Sequence, residues 1–260
     1  MSTMKNLSAV SRTFTILEKL SLVSSSNLED LAKATGLAKP TVYRFLLTLR
    51  DLGYIHRDEG EKWYLTMRLF SVGSRALDHI ELPAVARPVA VRLSAELGET
   101  VHMGILDDGE VLYVLKIESR YTIRMYSRVG RKIPLYCSAM GKTLLAHMSS
   151  IDRDALLGEL ELVPFTPNTI KNRKKLEKEL QRIVVEGIAV DAEEHETGIT
   201  CLAAPIRDHS GVVLAAMSVS WPVFRFDPVM RPEYARQIVS AADEVSAILG
   251  YDRRPRVNDK

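Results

Sequence analysis

The sequence predicts an α+β protein in two parts: an N-terminal winged helix-turn-helix with a linker helix behind it, and a C-terminal domain around an antiparallel sheet. Three observations carry this. Residues 27–54 join two short amphipathic helices through a glycine turn. A polar hairpin pattern follows at once. Beyond residue 80 the apolar spacing changes from helical to alternating, with turn signals between strands and charged helices beside them.

The elements follow in order. Val10, Phe14, Leu17, Leu20 and Leu22 supply a first helix to cover the pair behind it. In NLEDLAKATGLAKPTVYRFLLTLRDLGY, Asn27 is an N-cap and Asp30 places a carboxylate at the positive helix end. Leu28, Leu31 and Ala32 form one apolar face, and Gly36 suits the turn. Pro40 is expected at the first position of the next helix, where no N–H partner is needed. Val42, Phe45, Leu46 and Leu49 then make an i, i+3, i+4, i+7 stripe. The other face carries Lys39, Thr41, Tyr43, Arg44 and Thr48, cationic and hydrogen-bonding groups at the helix end that meets base edges in this motif. Two helices packing inside a helical domain is the alternative. The hairpin argues against it: Gly53 stops the helix, residues 54–57 and 62–65 read as strands, and residues 58–61 as a polar turn.

Residues 66–80 are helix-compatible, with Met67, Phe70, Ala76, Leu77 and Ile80 apolar, and read as a linker. Another helix runs through Val85, Val89, Leu93 and Leu97 to a Gly98 stop. Strands are expected over 101–106 and 111–117 around an Asp107-Asp108-Gly109 turn, and a third over 122–129. A helix opens at 138–146, a charged one covers 171–186 with Leu176, Leu180 and Ile183 inward, strands follow at 188–191, 199–207 and 212–220, and a helix covers 232–249. The expected division is 1–66 for the winged helix, 67–80 for the linker and 81–260 for the second domain.

Composition sets bounds. Of 260 residues, 46% are hydrophobic, enough for a sizeable core. No apolar run approaches the ~20 residues of a membrane span, and no charged-then-apolar leader opens the chain, so the expected location is the cytoplasm, with no membrane partner. Cys137 and Cys201 are too few and too far apart for a disulfide framework or a zinc ribbon, and read as buried thiols. Residues 1–80 hold 11 Lys and Arg against 8 Asp and Glu, and the remainder 24 against 25, a modestly basic head on a near-neutral body.

The segments GLAKPTVYRFLLTLRDLGY, PLYCSAMGKTLLA and DAEEHETGITCLAAPI with MSVSWP, in this order, resemble an IclR-type transcriptional regulator from end to end. IRMYSRVGRKIPLYCSAMGK is especially similar to the ketodeoxygluconate-regulator branch, which senses sugar-acid breakdown products. The resemblance implies a GAF-like effector domain, a homodimer or homotetramer on a double-stranded DNA operator, a small carboxylate effector and no cofactor. It implies that Lys39, Thr41, Tyr43 and Arg44 face the major groove while Thr48, His56, Arg57 and Lys62 meet phosphates. Repression is expected over activation, in the control of sugar-acid catabolism.

From the residues alone, Ser218 and Ser220 share one strand face and, buried, need partners: a polar ligand, each other, or backbone. The resemblance assigns them with Ala139, Met140, Asp191 and Cys201 to the effector site, walled by Met125, Ile133 and Ile199. Met140 stands where the family often has a smaller residue. A helix N-terminus at Ala139 suits an anion without lysine. Arg124, Arg128, Arg131 and Lys132 form a second candidate clamp or a solvated or inter-subunit face; Arg124 and Arg128 share a strand face and are the candidates to reach the ligand. Catalysis finds little support: Ser138 and Lys142 lack S-x-x-K spacing. His195 with Asp191, Glu193 and Glu194 has no H-x-x-x-H, so no metal site is expected. A metal-responsive sensor and, more remotely, a metal-dependent hydrolase are the alternatives.

Overall fold

A computed structural model describes residues 8–77, 81–122 and 126–252, and the chain divides into two compact units, one through Ile80 and one over Glu81–Asp252.

The first unit opens with α1 (Ser8–Ser21), α2 (Leu28–Thr35) and α3 (Lys39–Asp51). Asn27 caps α2 by accepting from the Asp30 amide at 2.9 Å, and its own amide group donates to the Asp30 carboxylate at 2.9 Å, a reciprocal cap that pins the helix start. Gly36 then turns the chain at φ 68°, in the left-handed region. Pro40 lies one residue inside α3, which already begins at Lys39; the missing N–H costs nothing there either. Val42, Leu46 and Leu49 are buried, with Phe45 half-buried at the edge of the stripe.

In α1 the inward face is Ile16, Leu17 and Leu20; Val10 and Phe14 are exposed, and Leu22 lies beyond the helix and is exposed too. The expected stripe was displaced because the surface offered by α2 and α3 selects the face centred on residue 16.

The wing is β1 (Ile55–Arg57) and β2 (Trp63–Leu65), paired antiparallel. Trp63 is buried and bridges to Ser26 through both backbone bonds, at 2.8 and 3.1 Å, so the hairpin is tied to the chain ahead of α2. Asp58 holds the turn by accepting from the Lys62 amide at 2.8 Å and from the Tyr64 hydroxyl. α4 (Met67–Leu77) follows. Met67 and Phe70 are exposed, so its expected apolar side is not covered by its own chain; Ile80 lies outside the described residues, as do the side chains of Ala76 and Leu77.

The second unit contains α5 (Leu82–Leu97), β3 (Thr100–Asp107), β4 (Glu110–Ile117), β5 (Lys132–Ile133), α6 (Ala139–His147), α7 (Ser150–Glu159), α8 (Arg173–Glu186), β6 (Ala189–Ala192), β7 (Ile199–Arg207), β8 (Val213–Pro222) and α9 (Arg231–Ile248). Six strands form one antiparallel sheet in the order β5-β4-β3-β8-β7-β6. α6 and α8 pack on one face with Ala203 and Ala216, and α5 and α9 on the other. Burial on both faces is why β7 and β8 read as near-continuous apolar runs.

One expectation fails here, and one element was not expected. The strand over 122–129 does not form across the described residues 126–129, which run irregularly into a turn; the sheet edge is closed by the two-residue β5. α7 carried no expectation, because only Leu157 of it is buried and its apolar stripe is thin.

Candidate functional site: the reading head and the enclosed cavity

On the head, α3 presents Lys39, Tyr43, Arg44 and Thr48 exposed and Thr41 half-buried. Arg44 makes no ion pair with a described residue, whereas Lys39 lies 3.5 Å from Glu29. Thr48 donates to the Arg44 carbonyl at 3.1 Å. On the wing His56 and Lys62 are exposed. Arg57 is half-buried on the wing. Its guanidinium lies over the Trp63 ring at 5.2 Å and pairs with Glu61 at 2.8 Å, so the side chain first packs the wing.

In the second unit, a cavity of about 20 Å³ opens between the start of α6 and the strands β6, β7 and β8, with room for little more than one water. Ser138, Ala139 and Met140 form its helix side; Asp191, Cys201, Ser218 and Ser220 its polar floor; Ile133, Ile199 and Tyr113 its walls; His195 and Glu196 its rim. Sheet register explains the meeting. Asp191 pairs with Cys201, and Cys201 with Ser220, across three neighbouring strands. Ser138 caps α6 by accepting from the Gly141 amide at 3.1 Å; Ala139 and Met140, whose amides are among the first of the helix and have no partner within it, line the cavity.

The electrostatics are set by burial. Asp191 Oδ1 accepts from the amides of Glu194, at 2.7 Å, and His195, at 3.4 Å. Desolvation still dominates and pushes its carboxyl up to about 7. Cys201 donates to Ser220 at 3.1 Å, and desolvation raises its thiol far above neutrality. Burial likewise pushes Cys137 up to about 12. Lys142, fully buried on α6, pairs with Glu194 and lies 3.5 Å from Glu179, anchoring the β6–β7 loop that forms the rim.

The chain matches the IclR helix-turn-helix domain over residues 9–59 and the C-terminal domain of the bacterial transcriptional regulator IclR over residues 74–247. It belongs to the IclR family. It is 38% identical to the HTH-type transcriptional regulator KdgR of Escherichia coli (strain K12) over 96% of this chain and 95% of that one. With the KdgR of Dickeya chrysanthemi the identity is 37%, over 96% of this chain and 82% of that one. The solved structure of the Thermotoga maritima IclR superposes with a TM-score of 0.64 at 32% identity, over 95% of this chain and all of that one (100%). This IclR-family protein is therefore a DNA-binding transcriptional regulator and not an enzyme.

Of the residues expected around an effector in this IclR-family chain, Ala139, Met140, Asp191, Cys201, Ser218, Ser220, Ile133 and Ile199 meet at the one cavity. Met125 and Arg124 lie outside the described residues. Arg128 is exposed, sits on no strand and does not line the cavity. Lys132 and Arg131 are also engaged elsewhere, Lys132 with Asp107 at 2.9 Å and Arg131 over the Tyr126 ring at 5.7 Å. Ser220 is partnered by Cys201 rather than by Ser218. Tyr113, His195 and Glu196 were not foreseen as lining residues. No group of three metal-ligating side chains occurs among the described residues, and no helix among them is long and apolar enough to cross a membrane.

Proposed function

We propose that this regulator is a repressor of sugar-acid catabolism, released from a double-stranded operator when a small sugar acid or 2-keto acid enters the cavity below α6. The observation that carries this is the convergence of a helix N-terminus with Asp191, Cys201, Ser218 and Ser220 in one small space that also has apolar walls. The helix amides suit a carboxylate and the hydroxyls suit the oxygens of a sugar acid. At its present size the cavity admits such a ligand only if Met140 or the rim at His195 and Glu196 moves. Entry would then shift the population of effector-domain arrangements, to the extent that the ligand prefers one of them.

The similarity to two KdgR proteins across nearly the whole chain supports the choice of ligand class. Residues 1–66 act as the reading head, 67–80 as the linker and 81–260 as the effector domain. Arg44, Tyr43, Thr41 and Lys39 face the groove; Thr48, His56, Arg57 and Lys62 face phosphates. Exposed Val10, Phe14, Met67 and Phe70 suit a homodimer or homotetramer, two heads being what a palindromic operator needs.

The test is a thermal-shift screen of sugar acids and 2-keto acids, followed by release of a bound operator fragment. A ligand that binds the folded state raises its stability by mass action. Ser218→Ala and Ser220→Ala should each shift the release midpoint by ~0.5–1.5 kcal/mol. Unchanged midpoints in both place the effector elsewhere.

A further inference from the structure

Behind the cavity floor stands a buried histidine. His102 on β3 is the direct cross-strand partner of Ser218 on β8. It is 1% exposed, and its ring centre lies 4.8 Å from that of the cavity residue Tyr113. Nδ1 faces Ser220 Oγ at 3.5 Å, the same hydroxyl that takes the Cys201 thiol. Nε2 lies 2.7 Å from Ser127 Oγ. The Ser127 carbonyl in turn accepts from Lys116 Nζ at 2.7 Å. A file of hydrogen-bonding groups therefore runs from the cavity floor, through Ser220 and His102, to the segment between β4 and β5.

We propose that His102 is a positioning residue that decides whether Ser220 offers the effector a hydrogen-bond donor or an acceptor, and that passes this choice to Ser127. The inference rests on the effector reading of the cavity.

The chemistry is that of a neutral imidazole, one donor and one acceptor. Desolvation first, and Lys116 second, hold the ring's basicity down at about 3, so His102 stays uncharged. With the proton on Nε2, His102 donates to Ser127, Ser220 donates to Nδ1, and the remaining lone pair of Ser220 accepts from a ligand hydroxyl. With the proton on Nδ1, Ser127 donates to Nε2, Nδ1–H donates to Ser220, and the Ser220 hydroxyl donates to a ligand carbonyl. One proton changes ring nitrogen and no net charge moves. The same exchange reverses the Ser127 hydroxyl, outside the cavity.

The experiment uses the full chain with ¹⁵N-labelled histidine and two probes of one carbon skeleton, pyruvate and lactate, a 2-oxo and a 2-hydroxy acid. In the free protein the His102 ring should show one protonated nitrogen from about pH 5 to about pH 8, and Ser220→Ala should shift the Nδ1 resonance. Both acids should bind, with different His102 resonances in the two complexes. His102→Phe should change the pyruvate-to-lactate affinity ratio about tenfold, the worth of one hydrogen bond, and His102→Gln should restore most of it. A ring that titrates near the ordinary histidine value, or an Nδ1 blind to Ser220→Ala, overturns the relay while leaving the effector reading intact. An unmoved ratio in a folded His102→Phe variant overturns it as well. Binding of neither acid at millimolar concentration, with the relay resonances as described, overturns the recognition role and the 2-keto-acid effector, while the sugar-acid reading stands or falls by its own screen. The wild-type and Ser220→Ala spectra keep the test decisive if the Phe variant does not fold.

Discussion

Asp191 shows how burial rewrites the part a residue plays. A carboxylate at this position would accept from sugar hydroxyls, but a carboxyl raised from 3.8 to about 7 is substantially protonated near neutrality and also donates. The Glu194 carboxylate adds to the rise, while Lys142 and the donating amides of Glu194 and His195 oppose it; Cys201 and Tyr113 stand close by in the cavity. A raised carboxyl favours the fold while it stays protonated, so its contribution is lost as pH rises from about 4 to about 7. An anionic effector adds to that preference for the neutral form. Effector affinity should therefore rise as pH falls through about 7, and Asp191→Asn should flatten the dependence. Calorimetric titration at about pH 6 and about pH 8 checks this; equal slopes in both proteins would contradict it.

On the head, two arginines separate by environment. Arg44→Ala should weaken specific operator binding by ~1–3 kcal/mol, if it pairs with guanine, without moving the melting temperature. Arg57→Ala should lower the melting temperature as well as operator affinity, because the guanidinium packs on Trp63. Melting curves beside gel-shift titrations distinguish them, and identical behaviour of the two variants would refute the assignment.

At the scale of an element, α6 matters most, and its seat depends on a glycine. A Cβ at Gly141 would stand 2.1 Å from the Leu135 carbonyl oxygen and 2.4 Å from its Cα, backbone atoms that cannot swing away. The close approach lets the helix start press against the chain entering it, with Ser138 capping and Ala139 and Met140 at the cavity. Gly141→Ala should displace that start, cost ~1–3 kcal/mol of stability and blunt the effector response more than DNA binding. Thermal melts and operator-release titrations read both effects. A variant with wild-type stability and release would show that α6 tolerates the shift.

At the scale of the whole molecule, a single chain leaves apolar side chains uncovered on α1 and α4: Val10, Phe14, Met67, Phe70 and Val72. Scattered exposed apolar residues are ordinary, but runs of them on a reading-head helix and on the linker helix suit contact with a second copy. Sedimentation at micromolar concentration should show a dimer or tetramer, and Phe14→Glu with Phe70→Glu should weaken assembly and operator affinity together. A strict monomer that binds a palindromic operator tightly would contradict this.

What the sequence by itself determined is what is written locally. The Asn27 cap, the Gly36 turn, the stripe of Val42, Leu46 and Leu49, and the hairpin around residues 58–61 each depend on neighbours a few positions apart, and each stands where it was expected. The resemblance to a family brought Ala139, Asp191, Cys201, Ser218 and Ser220 together, residues that no spacing rule links. The tertiary structure decided what depends on distant partners. It chose Ile16 over Val10 and Phe14 because only one face of α1 meets α2 and α3. It replaced an alternating stretch at 126–129 with an irregular segment and a two-residue edge strand, since alternation without a neighbouring strand gains no ladder of hydrogen bonds. It left α7, signalled only by the Ser149 cap on Asp152, to be found in space. It turned Arg57 onto Trp63, made Tyr113 a cavity wall and set His102 behind the cavity floor. Register and burial are properties of the assembled sheet, and a buried group's partners and protonation follow from them rather than from its place along the chain.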